Sequence, residues 1–314
     1  MNTEDLNIAI MVAELGSITA AAKRLDLRNA TANAALKRLE KQLGVELFIR
    51  TTRSLRLSQA GEQFIPQCKH ALSILEGAKL QGSNTSELIS GELKLAVSSD
   101  FGRNLLLPWL DLFVERHPKL SLNLSIDDRQ VDFYRDGVDI AIRYGSPKDS
   151  SVYGFKLCDV PGLLCASPDY LKQYGEPRSL DELKQHNALL YQLHGLSHDL
   201  WEFTHQGSSH RLRMHSNHMC NDGDIVRRWC IAAKGIAVKS SLDMANDLIA
   251  GRLKVIMEDY RPPVKELWLI CPSRQLITPA VRALRDDLRN HCTQLLSQLK
   301  ENGFLKAYNG LEAT

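Results

Sequence analysis

Residues 27–57 read LRNATANAALKRLEKQLGVELFIRTTRSLRL. Apolar residues recur at helical spacing in the first half, which predicts a helix from Asn29 to Leu43, and alternate in the second half, which predicts two short strands. Between Lys23 and Arg56 the chain carries nine basic and three acidic side chains, a net charge of +6, whereas the whole chain carries only +2. This asymmetry indicates an N-terminal module that faces an anion.

The sequence before this segment predicts two further helices. Thr3 is a plausible N-cap for the first, Gly16 ends it, and Ser17 caps a second helix of small residues that ends at Leu25. A short link then leads into the helix that starts at Asn29. Two closely spaced helices of this kind predict a helix-turn-helix, and the basic hairpin that follows predicts a wing that contacts phosphate.

The outward face of the third helix and the hairpin supply the candidate DNA contacts. Asparagine can pair with adenine, a threonine methyl can meet thymine, and Lys or Arg can reach guanine or phosphate. The candidates are Arg28, Asn29, Thr31, Asn33, Lys37 and Arg38 on the helix, and Arg50, Thr52 and Arg53 in the hairpin. On charge alone, an ordinary solvated helix with a surface hairpin is the better explanation.

The ordered motifs of this region resemble a known family. MVAELGSITAAAKRLDL (11–27) and TANAALKRLEKQLGVELFIRTTRSLRLSQAG (31–61) are similar to the winged helix-turn-helix of LysR-type transcriptional regulators. The resemblance implies a homodimer or homotetramer that reads an inverted repeat in double-stranded DNA, and it leaves contact with RNA polymerase open. The family usually starts this helix with Ser-Gln or Ser-Pro, whereas this chain has Arg28-Asn29, so no operator sequence can be carried over.

A long helix is predicted after Ser58, with a narrow apolar stripe that includes Phe64, Cys68 and Leu72. The resemblance implies that this linker helix pairs two subunits. Packing against its own C-terminal domain is the alternative. The polar residues 82–86 then predict a flexible hinge.

From Gly91 onward strands and helices alternate, including a short helix at 131–135, which predicts a mainly parallel sheet. The stretches 91–124, 136–145 and 163–177 resemble the co-inducer domain of the same family, which implies the two-lobed fold of periplasmic binding proteins. The predicted fold class is therefore α/β, with an α-rich winged helix-turn-helix, a long linker helix and a two-lobed effector domain. The predicted domains are 1–58, linker 59–90, effector domain 91–300 and a frayed tail 301–314. Lobe I comprises 91–165 and 267–300, and lobe II 166–266, with crossings near Ala166 and Leu267.

Ligands of such sheets bind at the carboxyl ends of strands, and helix amide groups there can bind a carboxylate. We therefore expect a small organic effector, for which an anion is one candidate class. The candidate contacts are Ser98, Ser99, Asp100, Asp128, Arg129, Arg143, Tyr144 and Gly145, with Asn217, His218 and Asn221 from lobe II. Capping, turn formation or structural ion pairing would explain the same residues without a ligand.

No catalytic constellation, cofactor motif or metal-ligand set is recognisable, so we predict neither an enzyme nor a cofactor. His194 and His198 have a metal-compatible spacing, but Gly195 and Ser197 favour a loop. Acidic residues stand where a signal peptide is basic, and no apolar run approaches the roughly 20 residues that span a bilayer. These features predict a cytoplasmic protein with no membrane partner.

Two other functions stay open. The chain could be a small-molecule-binding protein or an enzyme on a two-lobed scaffold, with its N-terminal helices used only for dimerisation. It could also be a thiol-based redox sensor that uses Cys220 and Cys230, although Cys230 lies on an apolar helix face, which favours a buried, inert thiol.

Overall fold

The computed structural model describes residues 2–50, 55–82, 89–129, 131–133, 135–147, 152–193 and 195–308. The chain divides into an N-terminal unit, residues 1–86 with 132–137, and a C-terminal unit formed by the rest. The elements of the N-terminal unit are α1 (Thr3–Leu15), α2 (Ile18–Arg24), α3 (Asn29–Leu43), β1 (Phe48–Arg50), β2 (Leu55–Leu57) and α4 (Gln59–Gly82).

Local capping sets the helix ends of the N-terminal unit. The N-cap of α1 is Asn2, whose side chain accepts a hydrogen bond from the Glu4 amide, so the prediction of Thr3 was wrong by one residue. Gly16 ends α1 in the left-handed region at φ 60°, and the Ser17 side chain caps α2 as predicted. The predicted bounds of α3 are confirmed, because the left-handed Gly44 ends the helix that begins at Asn29.

Small and branched apolar side chains form the core between α1, α2 and α3. Fully buried alanines let the helices approach closely, and leucines of α3 fill the remaining space. The most buried members are Ala9, Val12, Ala21, Ala32, Ala35, Leu36, Leu39 and Leu47. One face of α3 is therefore fixed in the core, and this decides which residues lie on the other.

The hairpin and the linker helix extend the same core. Strands β1 and β2 pair antiparallel, as predicted, and the Glu40 carboxylate accepts hydrogen bonds from the Leu47 and Phe48 amides at 2.9 and 3.2 Å. Cys68 and Leu72 of α4 pack on this core, whereas Leu75 is 47% exposed. The predicted hinge, apart from Gly82, lies outside the described residues.

The C-terminal unit begins with lobe I. Its elements are β3 (Ser90–Val97), α5 (Ser99–Phe101), a π-helical turn (Gly102–Leu106), α6 (Leu107–Arg116), β4 (Lys119–Ile126), β5 (Ile140–Tyr144) and β6 (Tyr153–Val160). The chain later returns to lobe I with β15 (Lys265–Cys271), a 3-10 turn (Arg274–Leu276) and α11 (Pro279–Glu301). The described residues end with a second 3-10 turn, Lys306–Tyr308.

The sheet of lobe I is mixed. Its strand order is β4-β3-β5-β15-β6, in which β3 pairs in parallel with β4 and β5, and β15 pairs antiparallel with β5 and β6. The predicted parallel arrangement is thus confined to β3, β4 and β5. The short helix predicted at 131–135 was wrong, because the described residues there form a turn in which the Asp132 side chain accepts from the Arg135 amide.

Lobe II contains smaller sheets with short helices around them. Its elements are β7 (Gly162–Ala166), α7 (Pro168–Tyr174), α8 (Leu180–Leu183), β8 (Leu189–Leu193), β9 (Leu196–Ser197), β10 (Leu200–His205), β11 (Ser208–Arg213), β12 (His218–Cys220), α9 (Gly223–Ile231), β13 (Ala237–Ser240), α10 (Ser241–Ile249) and β14 (Lys254–Val255). The described sheets have the orders β13-β7-β14, β12-β8-β9 and β10-β11.

The two crossings between the lobes lie earlier than predicted. Strand β7 belongs to lobe II, so the first crossing is at Pro161 and not at Ala166. The return crossing is at 262–264, because β15 starts at Lys265 in the sheet of lobe I. Sequence periodicity cannot place the first crossing, since β6 runs through Pro161 directly into β7.

The expectation that the chain frays after residue 300 was wrong for residues 301–308. Leu299 and Leu305 are buried in the core of lobe II, and the Tyr308 hydroxyl is hydrogen-bonded there. Residues 309–314 lie outside the described residues.

We expect Gly61→Ala to destabilise the N-terminal unit. A Cβ at this position would lie 2.1 Å from the carbonyl oxygen of Leu47, a backbone atom of the hairpin. Overpacking of this kind typically costs about 1–3 kcal/mol. Scanning calorimetry of the full chain should show a lower transition for this unit, whereas Gln59→Ala, an exposed position in the same helical turn, should leave it unchanged. An unaltered transition in Gly61→Ala would contradict the close approach of Gly61 to the Leu47 carbonyl.

Candidate nucleic-acid interface and inter-lobe site

The face of α3 opposite the core is exposed and carries most of the predicted DNA contacts. Arg28, Asn29, Thr31, Lys37 and Arg38 are exposed, and Asn33 is half-buried. This face also exposes Ala30 and Ala34, which sequence reasoning missed. The spacing of Ala30, Thr31 and Ala34 in the sequence could have indicated this surface, because it places three methyl groups in the N-terminal half of the helix. Such groups can contact thymine methyls.

The two asparagines at the start of α3 are oriented by local hydrogen bonds. The Asn29 side-chain amide donates to the Thr19 hydroxyl of α2 at 3.0 Å, and the Asn33 amide donates to the Asn29 carbonyl at 3.1 Å. These bonds fix the N-terminus of α3 against α2 and limit how the two side chains can present their remaining polar atoms to a base.

Arg38 has a structural partner. Its guanidinium binds the buried Asp5 carboxylate of α1 through two hydrogen bonds, at 2.7 and 3.2 Å. The hydrogen bond to Asp5 raises the pKa of Arg38. The adjacent Lys37 is exposed. Of the other predicted contacts, the Arg50 side chain, Thr52 and Arg53 lie outside the described residues.

At the inter-lobe site, Asp128 of lobe I meets the N-terminus of α9 in lobe II. Its carboxylate accepts hydrogen bonds from the Ser99 amide at 2.6 Å, the Ser99 hydroxyl at 2.7 Å and the Gly223 amide at 2.8 Å. The helix terminus predicted to bind an anion therefore binds the carboxylate of the chain itself.

Asp100 is the centre of a buried group of charges between the lobes. Its carboxylate pairs with Arg227 Nε at 3.1 Å and with the Lys239 ammonium, both from lobe II. The three side chains are 4%, 11% and 10% exposed. Asp100, Arg227 and Lys239, with the polar residues bound to them, form what we call the inter-lobe cluster.

Further polar groups complete the inter-lobe cluster. Asn104 donates to Asp100 and Asp224, each at 2.9 Å, and accepts from Arg227 at 2.8 Å. Two more contacts join the lobes, Arg103 with Asp222 at 2.8 Å and the Tyr144 hydroxyl with Asp243 at 2.8 Å. Within lobe II, Arg227 also pairs with Asp247 at 2.6 Å. The cluster thus satisfies buried charge with partners from both lobes.

Burial dominates the ionisation of Asp100. Loss of solvent raises the pKa of Asp100 to about 7, against the attraction of Lys239. Burial would lower the pKa of Lys239, but Asp100 and Asp243 more than offset this effect, and the pKa is raised. Since the folded pKa of Asp100 exceeds its ordinary value, this group contributes stability at low pH that is lost as the pH rises to about 7.

Arg143 is a further cation at the inter-lobe site. Within the described part of the chain, its Nε atom is buried without a hydrogen-bond partner, and its other nitrogens reach the carbonyls of Ile142 and Arg129, at 3.5 Å each. Burial lowers the pKa of Arg143, and nearby Asp128 opposes this shift. Arg143 is therefore a half-buried cation with no carboxylate of the described residues within ion-pair distance.

The remaining predicted effector residues make contacts of other kinds. The Ser98 hydroxyl is buried with no hydrogen-bond partner among the described residues, Arg129 pairs with Asp127, and the Gly145 amide donates to the Glu266 carbonyl. The three lobe II residues, Asn217, His218 and Asn221, have their contacts within lobe II. The structure therefore joins Ser99, Asp100, Asp128 and Tyr144 directly to lobe II.

Of the three residues that define the inter-lobe cluster, sequence reasoning identified only Asp100 as a candidate. Lys239 and Asp243 lie four residues apart, at the end of β13 and the start of α10, and nothing local marks them as partners of Asp100. Tyr191 was also missed, although it lies beside Asp128, and burial together with that charge raises its pKa. Only the packing of lobe II against lobe I brings these residues to the site.

The cysteines and histidines do not form a second chemical centre in the described part of the chain. Cys230 is buried, its thiol lies 3.3 Å from the Cys165 carbonyl, and burial raises its pKa to about 12. No group of three His, Cys, Asp or Glu side chains among the described residues could hold a metal ion, and His194 is outside them. None of the described helices combines the length and apolarity needed to cross a bilayer.

We expect Asp100→Asn to destabilise the C-terminal unit by about 3 kcal/mol, because it removes the closest carboxylate from the buried Lys239 ammonium and leaves it the more distant Asp243, at 3.7 Å, and the Gly223 carbonyl. The lower end of the range for broken buried pairs applies, since the raised pKa of Asp100 already reduces its charge near neutral pH. Urea unfolding followed by tryptophan fluorescence measures this. Arg129→Gln, which breaks an exposed pair, should cost at most about 1 kcal/mol. Equal effects of the two variants would contradict the inference that Asp100 stabilises this unit through buried ion pairs.

Comparison with known proteins agrees with both parts of the structure. Residues 3–62 match the bacterial regulatory helix-turn-helix model of the lysR family, and residues 86–293 match the LysR substrate binding domain. The chain is 28% identical to the transcriptional regulator DmlR of Escherichia coli K12 over 91% of this chain and 93% of DmlR, and 31% identical to CrgA of Neisseria meningitidis over 80% and 84%.

Solved structures give the same result. The structure of CrgA from Neisseria meningitidis aligns with a TM-score of 0.60 at 27% identity, over 93% of this chain and 99% of CrgA. Full-length AphB of Vibrio cholerae aligns with a TM-score of 0.56 at 25% identity, over 92% and 98%. The chain belongs to the LysR family of transcriptional regulators, with a DNA-binding helix-turn-helix and a two-lobed effector-binding domain.

Proposed function

We propose that the chain is a homodimer or homotetramer that reads an inverted repeat with α3 and the β1–β2 wing, and that its inter-lobe site takes a small organic anion. The DNA part rests on the exposed face of α3, and the effector part rests on Arg143. We propose that it acts in the cytoplasm, where chromosomal DNA lies, and that it regulates transcription by contact with RNA polymerase.

The proposed DNA contacts divide by chemistry. Arg28, Asn29 and Thr31, with the methyl groups of Ala30 and Ala34, are the base-reading set, since the N-terminal half of a recognition helix reaches base edges. Lys37 contacts phosphate, as do Arg50, Thr52 and Arg53 of the hairpin. The methyl-rich surface favours thymine at the centre of each half-site.

The proposed oligomer follows from the geometry of an inverted repeat. Two half-sites require two heads related by twofold symmetry. The first half of α4 packs on its own head through Cys68 and Leu72, while Leu75 faces solvent. An exposed leucine in line with a buried stripe supports the interpretation that α4 pairs with a second copy.

The proposed effector class follows from the charges at the inter-lobe site. A carboxylate at Arg143 would supply the ion pair that the described residues do not make, and the charged hydrogen bond would be strengthened by partial burial. Asp128 already fills the helix terminus of α9. The effector therefore binds beside Asp128 or displaces it, and either event changes the contact between the lobes.

Regulation requires that the effector bind one lobe arrangement better than the other. A coupling of about 1–3 kcal/mol is typical. The Asp128–Gly223 contact is the natural point of coupling, because one hydrogen-bonded carboxylate joins the two lobes there.

Lys37→Ala and Arg38→Ala form a matched pair of adjacent variants. Lys37→Ala should weaken binding to all fragments similarly and reduce the slope of log K against log salt by about 0.9, the value for one lost phosphate contact. Arg38→Ala should instead lower the stability of the N-terminal unit, because Asp5 loses its partner. The measurements are fluorescence anisotropy on an operator selected from genomic fragments and thermal unfolding. The reverse pattern would contradict these assignments.

Arg143→Gln should weaken effector binding about 10- to 100-fold, as expected for loss of a charge-assisted hydrogen bond. Titration calorimetry with sodium salts of small mono- and dicarboxylates tests this, and Arg129→Gln is the control, since its guanidinium is 82% exposed and pairs with Asp127. If no carboxylate binds the wild-type chain, the anion class is wrong. If Arg143→Gln binds as tightly as the wild type, Arg143 is not the contact.

A further inference from the structure

The two crossings between the lobes are in direct contact. Gly162 follows Pro161 in the first crossing, and a Cβ at this glycine would lie 2.8 Å from Pro262 Cβ and 2.9 Å from the Pro263 carbonyl oxygen in the second. Proline fixes φ on both sides of this contact. Any rotation of lobe II against lobe I therefore acts on two stiff segments that touch at one point, which we call the hinge contact.

Helix α11 is a third connection between the lobes. Its first turns lie in the core of lobe I through Val281, Leu284 and Leu288, whereas Leu299 near its end lies in the core of lobe II. A helix interior bends little without a proline or a bulge. The angle between the lobes therefore depends on where the end of α11 is anchored on lobe II.

Residues 302–308, which we call the C-terminal strap, anchor that end. Gly303 turns the chain in the left-handed region at φ 79°, and Leu305 is buried in the core of lobe II. The Ala307 carbonyl then accepts a hydrogen bond from Arg261 at 3.1 Å, next to the second crossing. The strap lies beyond residues 86–293, the part of the chain that matches the family model of the effector domain.

The strap ends on the hinge contact itself. The Tyr308 hydroxyl lies 2.8 Å from the Gly162 carbonyl oxygen and 2.7 Å from the Pro262 carbonyl oxygen. One hydroxyl proton can serve only one of these acceptors at a time, so the two carbonyls share a single donor. Burial raises the pKa of Tyr308, so the donor keeps its proton at neutral pH.

We propose that Tyr308 is a positioning residue for the hinge, and that the C-terminal strap holds the two crossings together so that α11 fixes the angle at which lobe II meets lobe I. This goes beyond the proposed function, because it concerns a segment outside the effector and DNA sites and does not depend on which effector binds. The strap determines the resting arrangement that an effector has to change.

The test is amide hydrogen exchange of the full-length chain with Tyr308→Phe, which removes the hydroxyl and keeps the ring. Exchange should become about 2- to 10-fold faster in peptides that cover 161–164 and 261–264, the range expected for loss of one internal hydrogen bond. The same acceleration should occur at Gly223, whose amide donates across the lobes to Ser99 and Asp128. Gly223 is the decisive position, because it is protected only while the lobes meet.

Two further variants make the result specific. Arg261→Gln removes the contact with Ala307 and should give the same pattern at smaller amplitude. Tyr174→Phe removes a tyrosine hydroxyl of lobe II that accepts a hydrogen bond from the neighbouring Gln173 side chain at 3.2 Å, and it should change nothing at either site. Faster exchange confined to 305–308, or a uniform increase throughout lobe II including 168–193, would overturn the proposal.

Discussion

Asp100 is a carboxylate with almost no access to water, held between Arg227 and Lys239 of the opposite lobe. An isolated charge in such a place is very costly, so Asp100 depends on these two cations for its ionised state. The cations themselves also pair within lobe II, Arg227 with Asp247 and Lys239 with Asp243. The dependence of Asp100 on lobe II constrains how the lobes meet, and the contacts of Asn104 and Asp128 lie beside it.

The inter-lobe site combines an anion bound by the chain with a cation that has no ion pair among the described residues. Asp128 occupies the N-terminus of α9, and the buried Nε of Arg143 nearby has no acceptor in the described part of the chain. The proposed effector would act here by exchange of partners. The strap that ends at Tyr308 acts on the same arrangement from the hinge side.

The N-terminal unit follows a simpler constraint. Buried alanines and leucines fix one face of α3, and the opposite face is left for DNA. Within that face the two adjacent basic residues have different surroundings, because Arg38 forms an ion pair with Asp5 of α1, whereas Asp5 does not pair with Lys37. Charge counting treats the two residues as equal, and only the packing of α1 against α3 separates them.

The sequence alone determined the elements whose signals are local. The periodicity of α3 and the glycine after it predicted its bounds, alternation predicted the hairpin and the strands β3 and β4, and the family motifs predicted the two-lobed domain. Four of the predicted effector residues, Ser99, Asp100, Asp128 and Tyr144, contact lobe II in the structure. Each of these predictions came from a pattern of residues that are close together in the sequence.

Only the tertiary structure decided the contacts between distant segments. Lys239 meets Asp100, Arg38 meets Asp5, and Tyr308 meets Gly162 across large separations in sequence. Helical and strand periods report which face of an element is apolar, and they carry no information about which charged or polar group of another element will lie opposite. Those pairings exist because packing brings two surfaces together and burial then makes every unpaired polar group costly.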